Sequence, residues 1–269
     1  MKLHYCVILI FVISIAFTKA YAHDFMVVND DGVSLYYSFV MNHNSVAVSY
    51  KGNYYGSFNN VYSGHIHIPD SVTYNNCSYQ VTAIGEYAFY NCSAITGIEI
   101  PSGITYIGTS AFEGCVNLKS IEIPNMVTSI GGYAFKGCLA LKELTIPDNV
   151  TRLGDSMMLG CQHLISVIIG NGITHVNNYA FQDCIRLKSI VLGEKVNYID
   201  IDAFNGCMEI ESIYCHSNDI PTLHYAFDVL SPIYNKAIIY VPSNMTERYR
   251  QRNSWALFKN IVVMEKGVK

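Results

Sequence analysis

Hydrophobic positions in this 269-residue chain return every 23 residues. The clearest copy runs Ala111-Phe112-Glu113-Gly114-Cys115-Val116-Asn117-Leu118-Lys119-Ser120-Ile121-Glu122-Ile123-Pro124. Its phenylalanine slot reads Phe89, Phe112, Phe135, Met158, Phe181, Phe204 and Phe227, and the slot three residues on reads Cys92, Cys115, Cys138, Cys161, Cys184, Cys207 and Leu230. A register kept over six steps without an insertion marks stacked repeats, none of which buries its apolar face alone.

Each repeat divides into three parts. Leu118-x-x-Ile121-x-Ile123-Pro124 alternates as a strand should, with Ile121 and Ile123 on one face and proline removing the next ladder donor. A short extended piece such as Ile104-Thr105-Tyr106-Ile107 follows, and then a slot reading Gly85, Gly108, Gly131, Gly154, Asn177 and Asp200. These residues tolerate positive φ, so the chain is expected to turn there through a left-handed conformation. The third part, Tyr133-Ala134-Phe135-Lys136-Gly137-Cys138, is long enough for one turn of α or 3₁₀ helix. Threonines at 82, 105, 128, 151 and 174 form a further column, read here as ordinary strand residues.

Outside the repeat, Val33 to Val40, Val46 to Tyr50, His65 to Ile68 and Cys77 to Val81 read as strands, separated by turns such as Lys51-Gly52-Asn53 and Asn75-Asn76. They would close the first coil. At the other end, Ala237 to Val241 reads as a strand, Asn244 to Phe258 as a helix with an Asn244/Glu247 capping box, and Ile261 to Met264 as a closing strand. The expected organisation is an export signal at 1–22, an N-terminal β cap at 23–80, a solenoid at 81–230 and a C-terminal cap at 231–269.

The first segment has a short polar start at Lys2 and His4, an apolar run from Cys6 to Phe17, and Ala20-Tyr21-Ala22 as a small-x-small site. Cleavage is expected after Ala22, giving a secreted or cell-surface product with no transmembrane segment in the mature chain. Without the signal, 15 basic residues face 21 acidic ones, which with no basic stripe argues against nucleic acid as a partner. Export permits disulfides, but six of the eight remaining cysteines repeat at the period. Neighbours one strand spacing apart with parallel side chains fit a disulfide torsion poorly. They read as buried free thiols acting as small apolar residues, with Cys77 and Cys215 the more reactive pair.

The motif Ile-Gly-x-x-Ala-Phe-x-x-Cys-x-x-Leu-x-x-Ile-x-Ile-Pro, repeated from about Val81 to Phe227, resembles the leucine-rich repeats of BspA-like surface proteins. The flanks fit as well: Tyr74-Asn75-Asn76-Cys77-Ser78-Tyr79 before, and Tyr240-Val241-Pro242, Trp255 and Phe258-Lys259-Asn260-Ile261 after. Met157-Met158 for Ala-Phe, and Gly170 and Gly193 for Pro, depart from the pattern. The resemblance implies a β-rich α/β repeat fold: a right-handed leucine-rich repeat solenoid with short helical turns, an N-terminal β cap and a C-terminal helix-strand cap. It also implies adhesion to matrix proteins or to other cells for some members, and no catalytic residues.

Binding is therefore sought at outward strand positions. These read Glu99, Glu122, Thr145, Ile168, Val191 and Tyr214, and beside them Ile165 replaces Lys119, Lys142 and Lys188. Ile165, Ile168, Val191 and Tyr214 form a candidate apolar patch, unless the C-terminal segment folds over them or they are isolated surface residues. A second outward row, Tyr106, Ser129, Arg152, His175 and Tyr198, has the mixed aromatic and hydrogen-bonding character that suits sugars or peptides. His65-x-His67 has a spacing that could hold a metal, but no third ligand is apparent and an ordinary exposed strand is the reading. Cys215-His216 points its two side chains opposite ways, and there is no G-x-S-x-G, H-E-x-x-H or phosphate-binding loop. No cofactor and no metal are expected. The sequence favours a non-catalytic exported module binding a protein or glycan. The alternatives are an exported enzyme or inhibitor using the N-terminal cap, or a structural spacer.

Overall fold

The computed structural model describes residues 23–40, 44–52, 61–228 and 230–265. The expected export signal and Asn53 lie outside the described residues.

The repeats wind into a solenoid with two strand ladders and a ladder of turns. One parallel sheet joins Glu143–Ile146, Ser166–Ile169, Ser189–Leu192, Ser212–Cys215, Ile238–Val241 and Asn260–Val263 in that order. On the same side of the coil, Ser63–His67 pairs in parallel with Ala94–Glu99. Between these two sheets the third coil contributes only a bridge, Ile98 to Ile121. The second ladder runs from Ser45–Ser49 through Cys77–Ile84, Tyr106–Ile107 and Ser129–Ile130 to Arg152–Leu153. It then stops. His175–Val176, Tyr198–Ile199 and Thr222–Leu223 form a separate sheet.

The slot expected to turn through positive φ behaves differently. No left-handed conformation occurs at Gly85, Gly108, Gly131 or Gly154. A Cβ on Gly108 would lie 2.5 Å from the Glu86 nitrogen and 2.7 Å from the Gly85 carbonyl carbon, and one on Gly131 would lie 2.7 Å from the Gly108 carbonyl carbon. Glycine is thus selected by the close approach of neighbouring coils. The next two coils carry Asn177 and Asp200 in this slot, and their strands pair with each other in the separate sheet.

Positive φ falls two residues later, at Tyr87, Ser110, Tyr133, Ser156, Tyr179, Asp202 and Tyr225, with values of 51° to 57°. The segment that follows is a hydrogen-bonded turn, where a short helix was expected. Its alternate N–H groups point along the solenoid: Ser110 donates to Gly132 at 2.9 Å, Phe112 to Ala134 at 2.8 Å and Gly114 to Lys136 at 2.8 Å. A helix would keep these donors within its own turn. Each left-handed residue costs about 1–2 kcal/mol, offset by bonds worth about 1 kcal/mol apiece that satisfy buried backbone.

The phenylalanines plug the interior as a column. Phe89, Phe112 and Phe135 stack at 5.3 and 5.4 Å within 3° and 5° of parallel, and Phe181, Phe204 and Phe227 repeat the arrangement. Fully buried Met157 and Met158 fill the gap between the two runs. The column ends at Tyr62, tilted 55° to Phe89, and at Phe258, 82° to Phe227.

The cysteine column is buried and free, as expected, but it is more than apolar filling. Each thiol from Cys115 to Cys207 donates to the carbonyl of the phenylalanine slot one coil back, at 3.1–3.3 Å. Burial pushes Cys161 up to about 12 and raises Cys115, Cys138 and Cys184. The threonine column also bonds between coils: the hydroxyls of Thr105, Thr128 and Thr151 donate to the carbonyls of Thr82, Thr105 and Thr128 at 3.1–3.3 Å. These residues therefore do more than fit a strand. Cys77 and Cys215 do not pair with each other. Cys215 is a free buried thiol pushed up to about 12 by burial, so its reactivity is suppressed.

At the N-terminal end, Phe25–Val28, Ser34–Phe39 and Ser45–Ser49 form an antiparallel meander. Ser71–Tyr74 forms a hairpin with Cys77–Ile84 through Asn75 and Asn76, at φ 50° and 60°. At the other end the expected single helix is broken into Thr246–Gln251 and a 3₁₀ turn, Trp255–Leu257. At about 100° per residue a continuous helix would turn Phe258 away from Met245, yet Met245, Tyr249, Trp255 and Phe258 are all buried. The break seats Trp255, whose Nε1 donates to the Pro221 carbonyl at 2.7 Å. The capping box does not form: Met245 is the N-cap, and Glu247 pairs with Arg250 at 2.6 Å.

Candidate functional site

Three surfaces stand out. The first is the outer face of the six-stranded sheet. Burial alternates along its strands, so Leu144 and Ile146, Val167 and Ile169, and Ile190 and Leu192 point inward. The residues between them are in register as Thr145, Ile168, Val191, Tyr214, Tyr240 and Val262. Ile168 is 41% exposed and Ile165 is 40% exposed. Tyr214 is half-buried because Tyr240 stacks on it, rings 4.5 Å apart and 5° from parallel. The C-terminal strands therefore extend the row and do not fold over it. Tyr240 and Val262 escaped the sequence reading because Val241-Pro242 stands three residues beyond the strict period.

The second surface is the shorter ladder. Tyr106, Ser129 and Arg152 share one sheet, and His175 and Tyr198 share the next. The ladder break therefore splits the expected row between Arg152 and His175. His175 and Tyr198 come together with ring centroids 5.5 Å apart. His224 lies 6.0 Å from Tyr198 and 5.4 Å from Tyr225, which is 70% exposed, and its Nδ1 is 3.1 Å from Asp200 Oδ1. His224 and Tyr225 occupy the last coil, where Tyr225 holds the left-handed position of the 23-residue period.

The third surface is a groove of about 870 Å³ where the third coil leaves the first ladder, lined by His65, His67, Asp70, Glu99, Glu122 and Met126 among others. The strand carrying the histidine pair is exposed, as expected, and the structure adds a partner for both rings. His65 Nε2 lies 3.1 Å from Glu99 Oε1, and His67 Nδ1 lies 2.9 Å from Glu99 Oε2. Glu99 is 32 residues from His67 and was assigned to the outward row, so only the strand pairing reveals the contact. Cys215 and His216 form no nucleophile and base, since Cys215 is inside and fully buried. Among the described residues no helix is long and apolar enough to cross a membrane.

Comparison with known proteins agrees with this architecture. The BspA type leucine rich repeat region matches residues 54–162 and 105–233, in six copies. A leucine rich repeat protein of T. pallidum superposes with a TM-score of 0.59 at 20% identity, covering 81% of this chain and 92% of that one. A leucine-rich repeat protein of Bacteroides ovatus gives 0.52 at 28% identity, covering 78% and 64%. A leucine rich cell surface protein of Faecalibacterium prausnitzii gives 0.56 at 25% identity, covering 72% and 55%, so this chain spans little more than half of that protein. No curated protein matches the chain. With the family's repeat covering more than half of its length and the solenoid built as that repeat requires, the chain belongs to the BspA-type leucine-rich repeat family.

Proposed function

We propose that this is a non-catalytic protein, exported and held at or released from the cell surface, that binds a protein ligand through the outer face of its six-stranded sheet. The observation carrying this reading is the row Ile168, Val191, Tyr214, Tyr240 and Val262, apolar across five successive strands and flanked by exposed Ile165. Aligned apolar side chains on a rigid sheet suit a recognition surface, because they are presented with little conformational freedom to lose. The same rows in earlier coils carry Glu99, Glu122 and Thr145, which confines the apolar character to one end.

The test is the double substitution Ile168→Glu and Tyr214→Glu, assayed for capture of matrix proteins or whole cells. Loss of capture with an unchanged melting temperature supports the reading. Undiminished capture by a folded double variant overturns it.

A glycan ligand is the second reading, and it rests on the other ladder. Exposed Tyr225, the His175, Tyr198 and His224 rings and the Asp200 carboxylate supply the stacking surfaces and hydrogen-bonding groups that sugars require. Retention on a glycan array that is lost in Tyr225→Ala, with the apolar row intact, favours it over the first.

A further inference from the structure

Three departures from the regular repeat converge on one spot near the N-terminal end. The pairing of Ser63–His67 with Ala94–Glu99 shifts register between Gly64 and His65, an irregularity of the kind that re-aims a side chain. Opposite His65 stands Gly97, in the slot that holds Ser120, Glu143, Ser166, Ser189 and Ser212 in later coils. A Cβ there would lie 3.3 Å from Nδ1 and 3.5 Å from Cε1 of His65, so the glycine makes room for the imidazole. The following coil then drops out of the ladder after a single bridge, and the groove opens beside the two rings. One ion pair would suffice to tie these coils together. Instead two imidazoles from one strand face converge on the two oxygens of one carboxylate.

We propose that His65, His67 and Glu99 form a binding site for a divalent transition-metal ion, with zinc the ion their chemistry suits. Two imidazoles and a carboxylate are a common donor set for such ions, whereas calcium and magnesium prefer oxygen alone. As the side chains stand they are held by hydrogen bonds, and among the described residues no three such groups sit at metal-ligand spacing. All three are about half exposed, at 55%, 47% and 62% of their side-chain surface. That exposure leaves the three side chains free to rotate about their own torsions toward a common ion with the backbone in place. The ion takes the place of the contacts to Glu99, each neutral imidazole keeping its single proton on the ring nitrogen that faces away from the ion. Asn29 fixes the strand from behind, donating to the His67 carbonyl at 2.8 Å. A fourth position faces the groove, where Asp70 and Glu122 line the wall.

The chelator-treated chain, titrated calorimetrically with zinc chloride, should take up one ion per molecule. His65→Ala and Glu99→Gln should each weaken binding by more than the roughly 10–100-fold that loss of an outer-shell partner costs. His163→Ala, a histidine away from the groove, should leave it unchanged. Because the replaced groups are exposed, each variant is checked for an unaltered melting temperature. The absence of stoichiometric zinc uptake overturns the proposal, as does undiminished affinity in the His65→Ala/His67→Ala double variant. The site shares no residue with the apolar row, so neither result bears on ligand capture there.

Discussion

The thiol of Cys138 donates to the carbonyl oxygen of Phe112, one coil back, at 3.2 Å. That oxygen already accepts the N–H of Cys115 at 3.1 Å, so the sulfur satisfies the second lone pair of a carbonyl that water does not reach. A small, mainly apolar side chain with one weak donor is what the slot requires, and cysteine fits it. Cys138→Ala should therefore destabilise the fold by about 1–2 kcal/mol, from the lost bond and the sulfur-sized void. Urea unfolding of the variant measures this directly; an unchanged midpoint would reduce the thiol to filler.

Two glycines of the same coil should fail for different reasons. Gly137 has φ +69° and open space around it, so Gly137→Ala should cost only the left-handed penalty of about 1–2 kcal/mol. Gly131 has ordinary φ, but an added methyl group would run into the Thr109 nitrogen and the Gly108 carbonyl carbon. Gly131→Ala must push two coils apart and should lower the melting temperature by clearly more than Gly137→Ala. Equal losses would mean that the coils yield easily at this point.

This contrast shows where sequence reasoning reached its limit. The period, the inward isoleucines and the Phe and Cys columns were legible because each is a chemical choice repeated at one position. The role of Gly131 was not, since positive φ and close approach select the same residue. Nothing in the propensity of Tyr133 or Tyr179 suggests a left-handed conformation; the inter-coil ladder of turn N–H groups imposes it. The apolar row was half visible, because Ile168, Val191 and Tyr214 keep the period and Tyr240 does not. The Glu99 bridge to His65 and His67 was invisible, as it depends on a register set outside the repeat.

Met157 and Met158 mark a local exchange of volume. In other coils the pair is Ala-Phe, and here both methionines are fully buried between Phe135 and Phe181. Met158→Phe alone should overfill the slot and cost about 1–3 kcal/mol, because Met157 occupies space that alanine leaves free. Met157→Ala/Met158→Phe should recover stability relative to either single change. Simple additivity in the double-mutant cycle would show that the two side chains do not share one cavity.

The buried thiols also predict how the fold responds to alkali. Burial raises Cys115, Cys138, Cys161, Cys184 and Cys215 above the ordinary thiol value of 9.0, with Cys161 and Cys215 reaching about 12. In the unfolded chain the same groups lose their protons near the ordinary value, so above it the folded state binds more protons than the unfolded one. Stability is then fully present below pH 9 and falls as pH rises from 9 toward 12. Each such group removes about 1.4 kcal/mol per pH unit while the difference lasts. The buried phenols of Tyr37, Tyr62 and Tyr249 are raised as well and act in the same direction above pH 10. Unfolding free energies from urea titrations at pH 8, 9 and 10 should therefore decline steeply between the last two, and Cys161→Ala should flatten that decline by one thiol's share. A curve that is level across this interval would mean that the thiols are reached by solvent without unfolding. Alkylation at pH 8 would then label the column in the native protein, where protection is expected.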